Sequence, residues 1–274
     1  MPEGDSIRRL ADRLAALVGQ TLVRVTTQGL ERDLAGRTIT AVHSHGKHLM
    51  IDLDDGTQLR THLGMNGRVR RCTREDGEAI VARMSPGRAT LVLATDRHLV
   101  LWVQARSVEV APRRAPMRGL AVASLGPDVL GDGFDPQHAA SRAEADPSRT
   151  IADVLLDQRV AAGIGNIWKC ESLFACGIDP RTPIGALTRA EIALVYAKAR
   201  ELMRATLAPE ARGAVRAREG FAVYSRTNRP CTRCATPIAA YQLGDPPRWT
   251  WSCARCQPRG APSPRTGPGT GTSR

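Results

Sequence analysis

Lysine, aromatic residues and long apolar runs are all scarce in this chain of 274 residues. Aromatic residues make up only 4% of the sequence, which argues against a platform that stacks the bases of single-stranded nucleic acid. No apolar run reaches the length that spans a membrane, and residues 1–20 are charged and amphipathic, unlike a secretory signal. We therefore expect an intracellular protein without a membrane partner.

Arginine supplies nearly all of the positive charge. Lysine occurs only at Lys47, Lys169 and Lys198, yet the formal net charge is +12 and the sequence pI is about 10.2. Such a charge predicts a polyanionic partner, and the guanidinium group suits bidentate recognition of phosphate. A general arginine bias in the source genome would give the same composition.

The first half of the chain is patterned as one helix followed by short strands. Ile7, Leu10, Leu14 and Val18 recur at helical spacing, and Gly19 is a plausible end of this helix. Strand-like runs separated by turn residues follow at 21–27, 38–44, 48–53, 58–63, 90–94 and 98–103. This pattern predicts an N-terminal β-sandwich domain over residues 1–125, with a helix at its start.

The second half is predicted to be mainly helical. Residues 126–147 are rich in Gly, Asp and Pro and are interpreted as a linker. The predicted helices are Thr150–Gln158, Asn166–Cys176 and Thr188–Leu207, within a domain that covers residues 148–222. A cysteine module follows at 223–257. Residues 258–274, rich in Gly, Pro, Ser, Thr and Arg, are expected to form a disordered tail.

Four of the seven cysteines form two Cys-x-x-Cys pairs: Cys231, Cys234, Cys253 and Cys256. In an intracellular protein such pairs indicate metal binding rather than disulfides. They offer four thiolates to one tetrahedral Zn²⁺ on a hairpin that is too small to fold unaided. Because a four-cysteine site has no open coordination position, the predicted zinc has a structural role.

The chain begins Met1-Pro2-Glu3-Gly4-Asp5. Met1 precedes a small residue and is expected to be removed, which would leave Pro2 with a free secondary amine beside the Glu3 carboxylate. An α-amino group titrates near ~8, against ~10.4 for lysine, so a sizeable fraction is nucleophilic at neutral pH. Attack of this amine on a sugar C1′ would give a cationic iminium that promotes elimination. The alternative is that Met-Pro is a common start without a function.

Two segments carry candidate phosphate ligands. Lys47 follows Gly46 within a histidine-rich stretch, although it is also compatible with an ordinary surface lysine. Asn166 starts a predicted helix after the turn Gly163-Ile164-Gly165, and the N-terminus of a helix binds phosphate through its free N–H groups. The alternative is a helix–turn–helix in which the glycines serve tight packing.

Two further side chains suit contact with DNA. Met65 occupies the tip of a turn between Gly64 and Gly67 and could wedge into a base stack, or it could fold back into the core. Arg248 lies between the two cysteine pairs and could direct its guanidinium at a phosphate. On spacing alone a solvated arginine explains Arg248 better.

Together and in this order, the motifs resemble the formamidopyrimidine-DNA glycosylase/endonuclease VIII (Fpg/Nei) family of DNA repair enzymes. The resemblance covers roughly residues 1–257. It comprises the Pro-Glu-Gly start, a Gly-Lys-His-Leu strand, a His-Leu-Gly-Met-x-Gly turn, a Gly-Ile-Gly-Asn-Ile helix–two-turn–helix element and a four-cysteine zinc finger. It implies an α+β multidomain protein: a β-sandwich with an N-terminal helix, a helix–two-turn–helix domain and a zinc-finger β-hairpin. The implied partner is damaged double-stranded DNA, bound by a monomer.

The resemblance also implies the chemistry. Pro2 corresponds to the nucleophile that forms a Schiff base, and Glu3 to the proton donor that assists opening of the sugar ring. Lys47 and Arg248 correspond to residues that contact phosphate and assist proton transfer. The implied activity is a bifunctional glycosylase/AP lyase, which excises an oxidised base and cleaves the strand by β,δ-elimination.

For DNA contact, Asn166 corresponds to the asparagine that grips backbone phosphate. Met65 corresponds to the residue that fills the void left by the flipped nucleotide, and Arg106 to the arginine that faces the orphaned base. An Fpg-type enzyme would have Arg-Arg-Phe-Gly where this chain has Arg106-Ser107-Val108-Glu109, so the aromatic wedge is missing and Val108 is a weak substitute. Ser6 stands where several family members have glutamate.

The predicted substrates are oxidised pyrimidines. The Pro-Glu-Gly-Asp start resembles endonuclease VIII rather than Fpg-type enzymes, and the segment Gly213–Arg229 is short for a loop that covers a flipped oxidised guanine. Two alternatives remain open: an Fpg-type enzyme for oxidised purines, and a zinc-dependent DNA-binding protein without enzymatic activity. The second leaves the Pro-Glu start unexplained.

Overall fold

The computed structural model describes residues 2–27, 33–85, 87–113, 124–208 and 220–259. The chain divides into two compact units. The first consists of Met1–Phe134, Gln158–Ile164 and Met203–Pro209, and the second of Asp135–Asp157, Gly165–Leu202 and Glu210–Arg274. The removal of Met1, the length of the loop at 213–219 and the disorder of the tail at 260–274 are predictions that lie outside the described residues.

The first unit is a β-sandwich with a helix at its start. Helix α1 is Gly4–Leu14, and α2 is Arg74–Ala82. The strands are β1 Leu22–Thr27, β2 Ile39–His45, β3 His48–Leu53, β4 Thr57–His62, β5 Arg68–Thr73, β6 Ala89–Thr95, β7 His98–Val103 and β8 Ser107–Pro112. They form two four-stranded antiparallel sheets, in the orders β2-β3-β4-β8 and β1-β6-β7-β5. Buried residues of α1 and both sheets share one core, including Ile7, Leu59 and Trp102.

Helix α1 is present as predicted, but it ends at Leu14 rather than near Gly19. The Glu3 N–H donates to Ser6 Oγ at 2.9 Å, so Ser6 takes part in the N-terminal cap. The apolar face of helix α1 is buried. Val18 is 46% exposed because it follows a short 3₁₀ turn that breaks the helical spacing. Gly19 has a φ of +83°, a left-handed conformation that glycine adopts without steric cost.

Three elements of the sandwich were not predicted: α2, β5 and β8. Strand β5 carries Arg68, Arg70 and Arg71 and therefore lacks an apolar pattern, but its full pairing with β7 makes it a strand. In β8, Val108 packs against the shared core. The half-buried Val108 side chain therefore contributes to the sandwich, which agrees with the expectation that it is a weak substitute for an aromatic wedge.

The second unit contains the remaining helices and one hairpin. The helices are α3 Pro136–Ala143, α4 Ile151–Leu156, α5 Asn166–Cys176 and α6 Arg189–Ala205, the last of which runs into the first unit at Met203. The hairpin strands are β9 Ala239–Leu243 and β10 Arg248–Ser252. Helix α3 lies inside the segment predicted as a linker. Proline at its first position and the Asp135 cap, which accepts from the Gln137 N–H at 2.9 Å, start a helix there despite the loop-like composition.

The hairpin is fastened to helix α5 in several places. Arg233 donates to Phe174 O at 3.0 Å and Ala175 O at 3.2 Å, and its guanidinium lies 4.3 Å from the centre of the Phe174 ring. Gln257 Nε2 donates to Ile178 O at 2.8 Å. These contacts satisfy carbonyl groups near the C-terminus of α5 and fix the cysteine module on that helix.

Within the described part of the chain, no helix is long and apolar enough to cross a membrane.

Candidate active site and nucleic-acid interface

The Pro2-Glu3 start is fixed against the turn 158–164. The Gly4 N–H donates to Gly163 O at 3.0 Å. A Cβ on Gly4 would lie 2.9 Å from Gly163 Cα, so only glycine permits this approach. Glu3 is buried and Pro2 is half-buried. The backbone around the predicted nucleophile is therefore held in place by a second segment of the same unit.

Lys47 lies at the tip of the β2–β3 hairpin, directly after Gly46. Gly46 has a φ of +55°, and its N–H donates to Asp128 Oδ2 at 3.0 Å. A Cβ on Gly46 would lie 2.7 Å from Ala162 Cβ, so the hairpin tip also packs directly against this turn. Gly4 and Gly46 therefore approach neighbouring residues of one turn, so the segments that carry Pro2, Glu3 and Lys47 pack against residues 162–163.

Two histidines beside Lys47 were not predicted as site residues. The rings of His48 and His62 lie 4.9 Å apart, and the Gly64 N–H donates to His62 Nδ1 at 3.1 Å. Burial, reinforced by neighbouring positive charges that include Lys47, lowers the pKa of both His48 and His62 to about 4. Each imidazole is therefore neutral at pH 7. In the sequence, His62 stands in the same His-Leu-Gly-Met motif as Met65, and this motif is the signal that marks it as a candidate site residue.

We expect acid to destabilise the folded protein between pH 6.5 and about 4. In this window the unfolded chain protonates histidines at their ordinary pKa of 6.5, whereas His48 and His62 in the folded protein resist protonation until about pH 4. Stability therefore falls as the pH falls. Replacing His48 with glutamine should recover about 1–3 kcal/mol of the unfolding free energy lost across this window. Urea unfolding at pH 7, 5.5 and 4.5 measures the effect.

The matched control for this prediction is His138→Gln in α3, since His138 is exposed. That variant should keep the wild-type pH dependence. If the stability of His48→Gln falls as steeply as that of the wild type when the pH is lowered, the buried neutral His48 is not a source of the acid sensitivity.

Met65 and Arg106 lie side by side on the surface of the first unit. Met65 is 65% exposed at the tip of its turn. The turn closes by donation from the Gly67 N–H to Leu63 O at 3.0 Å, and a Cβ on Gly67 would lie 2.2 Å from that oxygen. A Cβ on Gly64 would lie 2.9 Å from Arg106 Cβ, which places the exposed arginine against the turn. Among the alternatives for Met65, the exposed tip is the one that the structure shows.

In the second unit, the N-terminus of α5 meets the hairpin strand that carries Arg248. Asn166 Nδ2 donates to Trp249 O at 2.8 Å. Lys169 Nζ donates to Asn166 Oδ1 at 2.7 Å and to Thr250 Oγ1 at 2.8 Å. Arg248, at the start of β10, is exposed. Asn166 therefore bonds to the residue that follows Arg248, although the two predicted phosphate ligands are 82 positions apart in the chain.

The four cysteines converge at the base of the hairpin. The Sγ atoms of Cys231, Cys234, Cys253 and Cys256 all lie within 4.8 Å of one another. Cys231 and Cys256 are 3.8 Å apart, and Cys234 lies 3.5 Å from both Cys253 and Cys256. A tetrahedral ion with bonds of about 2.3 Å to sulfur holds its sulfurs about 3.8 Å apart. The cluster can therefore hold one metal ion.

Comparison with known protein families agrees with this architecture. Residues 1–108 match the model of the formamidopyrimidine-DNA glycosylase N-terminal domain, and residues 125–217 match that of the formamidopyrimidine-DNA glycosylase H2TH domain. The two models cover most of the chain. This chain belongs to the formamidopyrimidine-DNA glycosylase/endonuclease VIII family, as its motifs predicted.

Individual relatives align over nearly the whole chain. It is 34% identical to the "Probable endonuclease 8 2" of Streptomyces coelicolor, over 99% of this chain and 98% of that protein. It is 36% identical to the "DNA-(apurinic or apyrimidinic site) lyase Nei2" of Mycolicibacterium smegmatis, over 94% of this chain and 99% of the relative. The fold matches that of Lactococcus lactis formamidopyrimidine-DNA glycosylase non-covalently bound to DNA containing an AP site. The TM-score is 0.80 at 21% identity, and the match covers 94% of this chain and 100% of the other.

Proposed function

We propose that this protein is a bifunctional DNA glycosylase/AP lyase of base excision repair, acting on oxidised bases in double-stranded DNA. The observation that carries the proposal is the fixed N-terminus. Pro2 and the buried Glu3 directly precede Gly4, Lys47 directly follows Gly46, and both glycines pack against the turn 158–164 in a chain that belongs to a family of DNA glycosylases. A free secondary amine, a carboxyl group and an ammonium group are suited to iminium chemistry at a sugar.

The proposed reaction proceeds through a covalent intermediate. The damaged nucleotide leaves the base stack, because its C1′ cannot be reached inside the duplex. The Pro2 amine forms a bond to C1′, and the base departs with the electron pair of its glycosidic bond and takes up a proton. Glu3 protonates the ring oxygen, the C1′–O4′ bond breaks, and the Pro2 nitrogen, having lost its N–H proton, forms the second bond to C1′ that makes the iminium. The resulting iminium acidifies the proton on C2′. Loss of that proton breaks the bond to the 3′ phosphate, and a second elimination breaks the bond to the 5′ phosphate.

DNA binding is proposed to depend mainly on phosphate contacts. The proposed phosphate ligands are Lys47 in the first unit and Asn166 and Arg248 in the second. The other arginines add to the positive electrostatic potential that attracts DNA. Such binding weakens steeply with salt because bound counterions are released from the DNA. Met65 and Arg106, adjacent and exposed, are proposed to fill the space left by the flipped nucleotide.

We infer that the metal held by the cysteine cluster is zinc. Four thiolates at tetrahedral separations are the donor set that a structural zinc ion prefers. The ion would tie the two Cys-x-x-Cys turns together and support the strand that carries Arg248. It has no part in the chemical steps.

Reduction with sodium borohydride tests the proposed activity. Borohydride reduces the iminium to a stable amine, so a protein that reacts with an abasic-site duplex becomes covalently linked to the DNA. An undamaged duplex of the same sequence is the control. Tight binding to both duplexes without any adduct would favour a zinc-dependent DNA-binding protein that lacks enzymatic activity.

The proposed substrates are oxidised pyrimidines such as thymine glycol and dihydrouracil. A pyrimidine that has lost aromaticity is non-planar, stacks poorly and leaves the helix at lower cost. This matters here because the half-buried Val108 packs against the sandwich core, which leaves Met65 and Arg106 as the proposed void-filling residues.

We expect faster excision of thymine glycol than of 8-oxoguanine opposite cytosine. A difference of about 1.4 kcal/mol in flipping cost already gives a tenfold ratio of rates. Single-turnover reactions at one salt concentration, in duplexes that differ only at the lesion, measure the ratio. If 8-oxoguanine proves the better substrate, the lesion assignment is wrong and the protein acts as an Fpg-type enzyme.

A further inference from the structure

A buried lysine is hydrogen-bonded to the proposed phosphate ligand Asn166. Lys169 is 1% exposed and stands three residues after Asn166 in α5, so the two side chains share one face of the helix. Its Nζ donates to Asn166 Oδ1 at 2.7 Å. Burying an ammonium group costs free energy that an apolar side chain of similar length would not. The position therefore calls for a role that only a hydrogen-bond donor fulfils.

We propose that Lys169 is a positioning residue that fixes the orientation of the Asn166 carboxamide for phosphate binding. The inference rests on the proposed function, since it takes Asn166 as a ligand of the DNA backbone. An ammonium group only donates hydrogen bonds, so Lys169 can pair with the carboxamide oxygen but not with its nitrogen. Lys169 thereby decides which end of the amide points inward.

With Oδ1 held by Lys169, the Asn166 nitrogen faces the hairpin. One of its two N–H groups donates to Trp249 O at 2.8 Å, and the second is the proposed donor to a phosphate oxygen. A flipped amide would lose the bond to Trp249 and present an oxygen to the anionic DNA. Asn166 is 9% exposed, so its rotation is already restricted and the remaining freedom is mainly this flip.

Lys169 also reaches the strand that carries the second phosphate ligand of this unit. Its Nζ donates to Thr250 Oγ1 at 2.8 Å, and Thr250 Oγ1 donates to Arg248 O at 3.2 Å. Thr250 is fully buried. One ammonium group thus connects the carboxamide of Asn166 with the backbone of Arg248, so both ligands are positioned from the same point.

Lys169→Met tests the proposal, because methionine fills the space of the lysine chain without a donor. We expect its Kd for a duplex that contains a tetrahydrofuran abasic analogue to rise about tenfold, the usual effect of losing one charge-assisted hydrogen bond. Lys198→Met in α6 removes the same charge from a partly exposed lysine that pairs with Glu201, and should change Kd by less than about twofold. Zinc content and the thermal midpoint are measured on every variant.

The Asn166→Ala background separates positioning from other effects. If Lys169 acts through Asn166, Lys169→Met should raise Kd about tenfold in the wild-type background and less than about twofold in Asn166→Ala. Equal effects in both backgrounds, an unchanged Kd, or loss of zinc or thermal stability in Lys169→Met would each overturn the proposal. Failure of the proposed function is distinguishable, since the wild-type protein would then neither prefer the abasic analogue nor form a borohydride adduct.

Discussion

Replacing Pro2 with glycine should remove most borohydride trapping and slow strand cleavage by at least ~100-fold, the scale on which loss of a reacting group acts. Glycine replaces the secondary amine with a primary one and removes the ring that restricts the N-terminal backbone. The rest of the site stays in place, because the Gly4 N–H and Gly163 O that hold this backbone are untouched. The rates of adduct formation and of strand cleavage are measured on gels, with the abasic-site duplex incubated in a saturating concentration of protein.

Glu3→Gln is the informative companion variant. It should lose base excision, which needs protonation of the ring oxygen, yet retain some cleavage of a preformed abasic site, where the sugar ring opens without help. A protein that keeps Met1 should form no adduct, because its amine is then displaced from the reacting position. Full activity in a preparation whose intact Met1 is verified by mass spectrometry would remove Pro2 from the mechanism.

The second large effect is expected from Cys253→Ser. Cys253 is fully buried, and its Sγ lies 3.5 Å from Cys234 Sγ. Without this thiolate the site should release its metal, and since metal binding and folding of such a hairpin are coupled, the strand that carries Arg248 should unfold. We expect zinc content to fall from one ion per chain to near zero, and DNA affinity to fall at least ~10-fold.

Cys72→Ser provides the control, since Cys72 lies in β5 of the sandwich and outside the cysteine cluster. It should keep zinc and DNA binding. The sandwich has a core of its own, so Cys253→Ser should retain the β-sheet signal in circular dichroism. DNA binding equal to the wild type at the same salt concentration would show that the zinc hairpin does not contribute to binding.

Much of the fold and of the candidate site followed from local sequence patterns. Each of these patterns lies in a short segment whose structure is determined by residues close to one another in the sequence. The Cys-x-x-Cys spacing predicted the cluster, and the Gly64-to-Gly67 spacing predicted the turn that carries Met65. Helix α5 has the predicted bounds because Gly165 precedes it and Gly177, with a φ of +72°, ends it.

What the sequence did not reveal depends on contacts between distant segments. The burial of His48 beside His62 arises from pairing of β3 with β4. Lys169 carries no local signal of its role, since its partner Thr250 is 81 residues away. Val108 was interpreted from its place in a motif, but its side-chain direction is set by pairing of β8 with β4.

Mapping the covalent adduct tests the central claim most directly. Wild-type protein is reacted with an abasic-site duplex under borohydride, digested with protease and nuclease, and examined by tandem mass spectrometry. We expect the modified sugar on the α-nitrogen of the N-terminal peptide that begins at Pro2, with Met1 absent. An adduct located on Lys47, or on any other lysine, would contradict it.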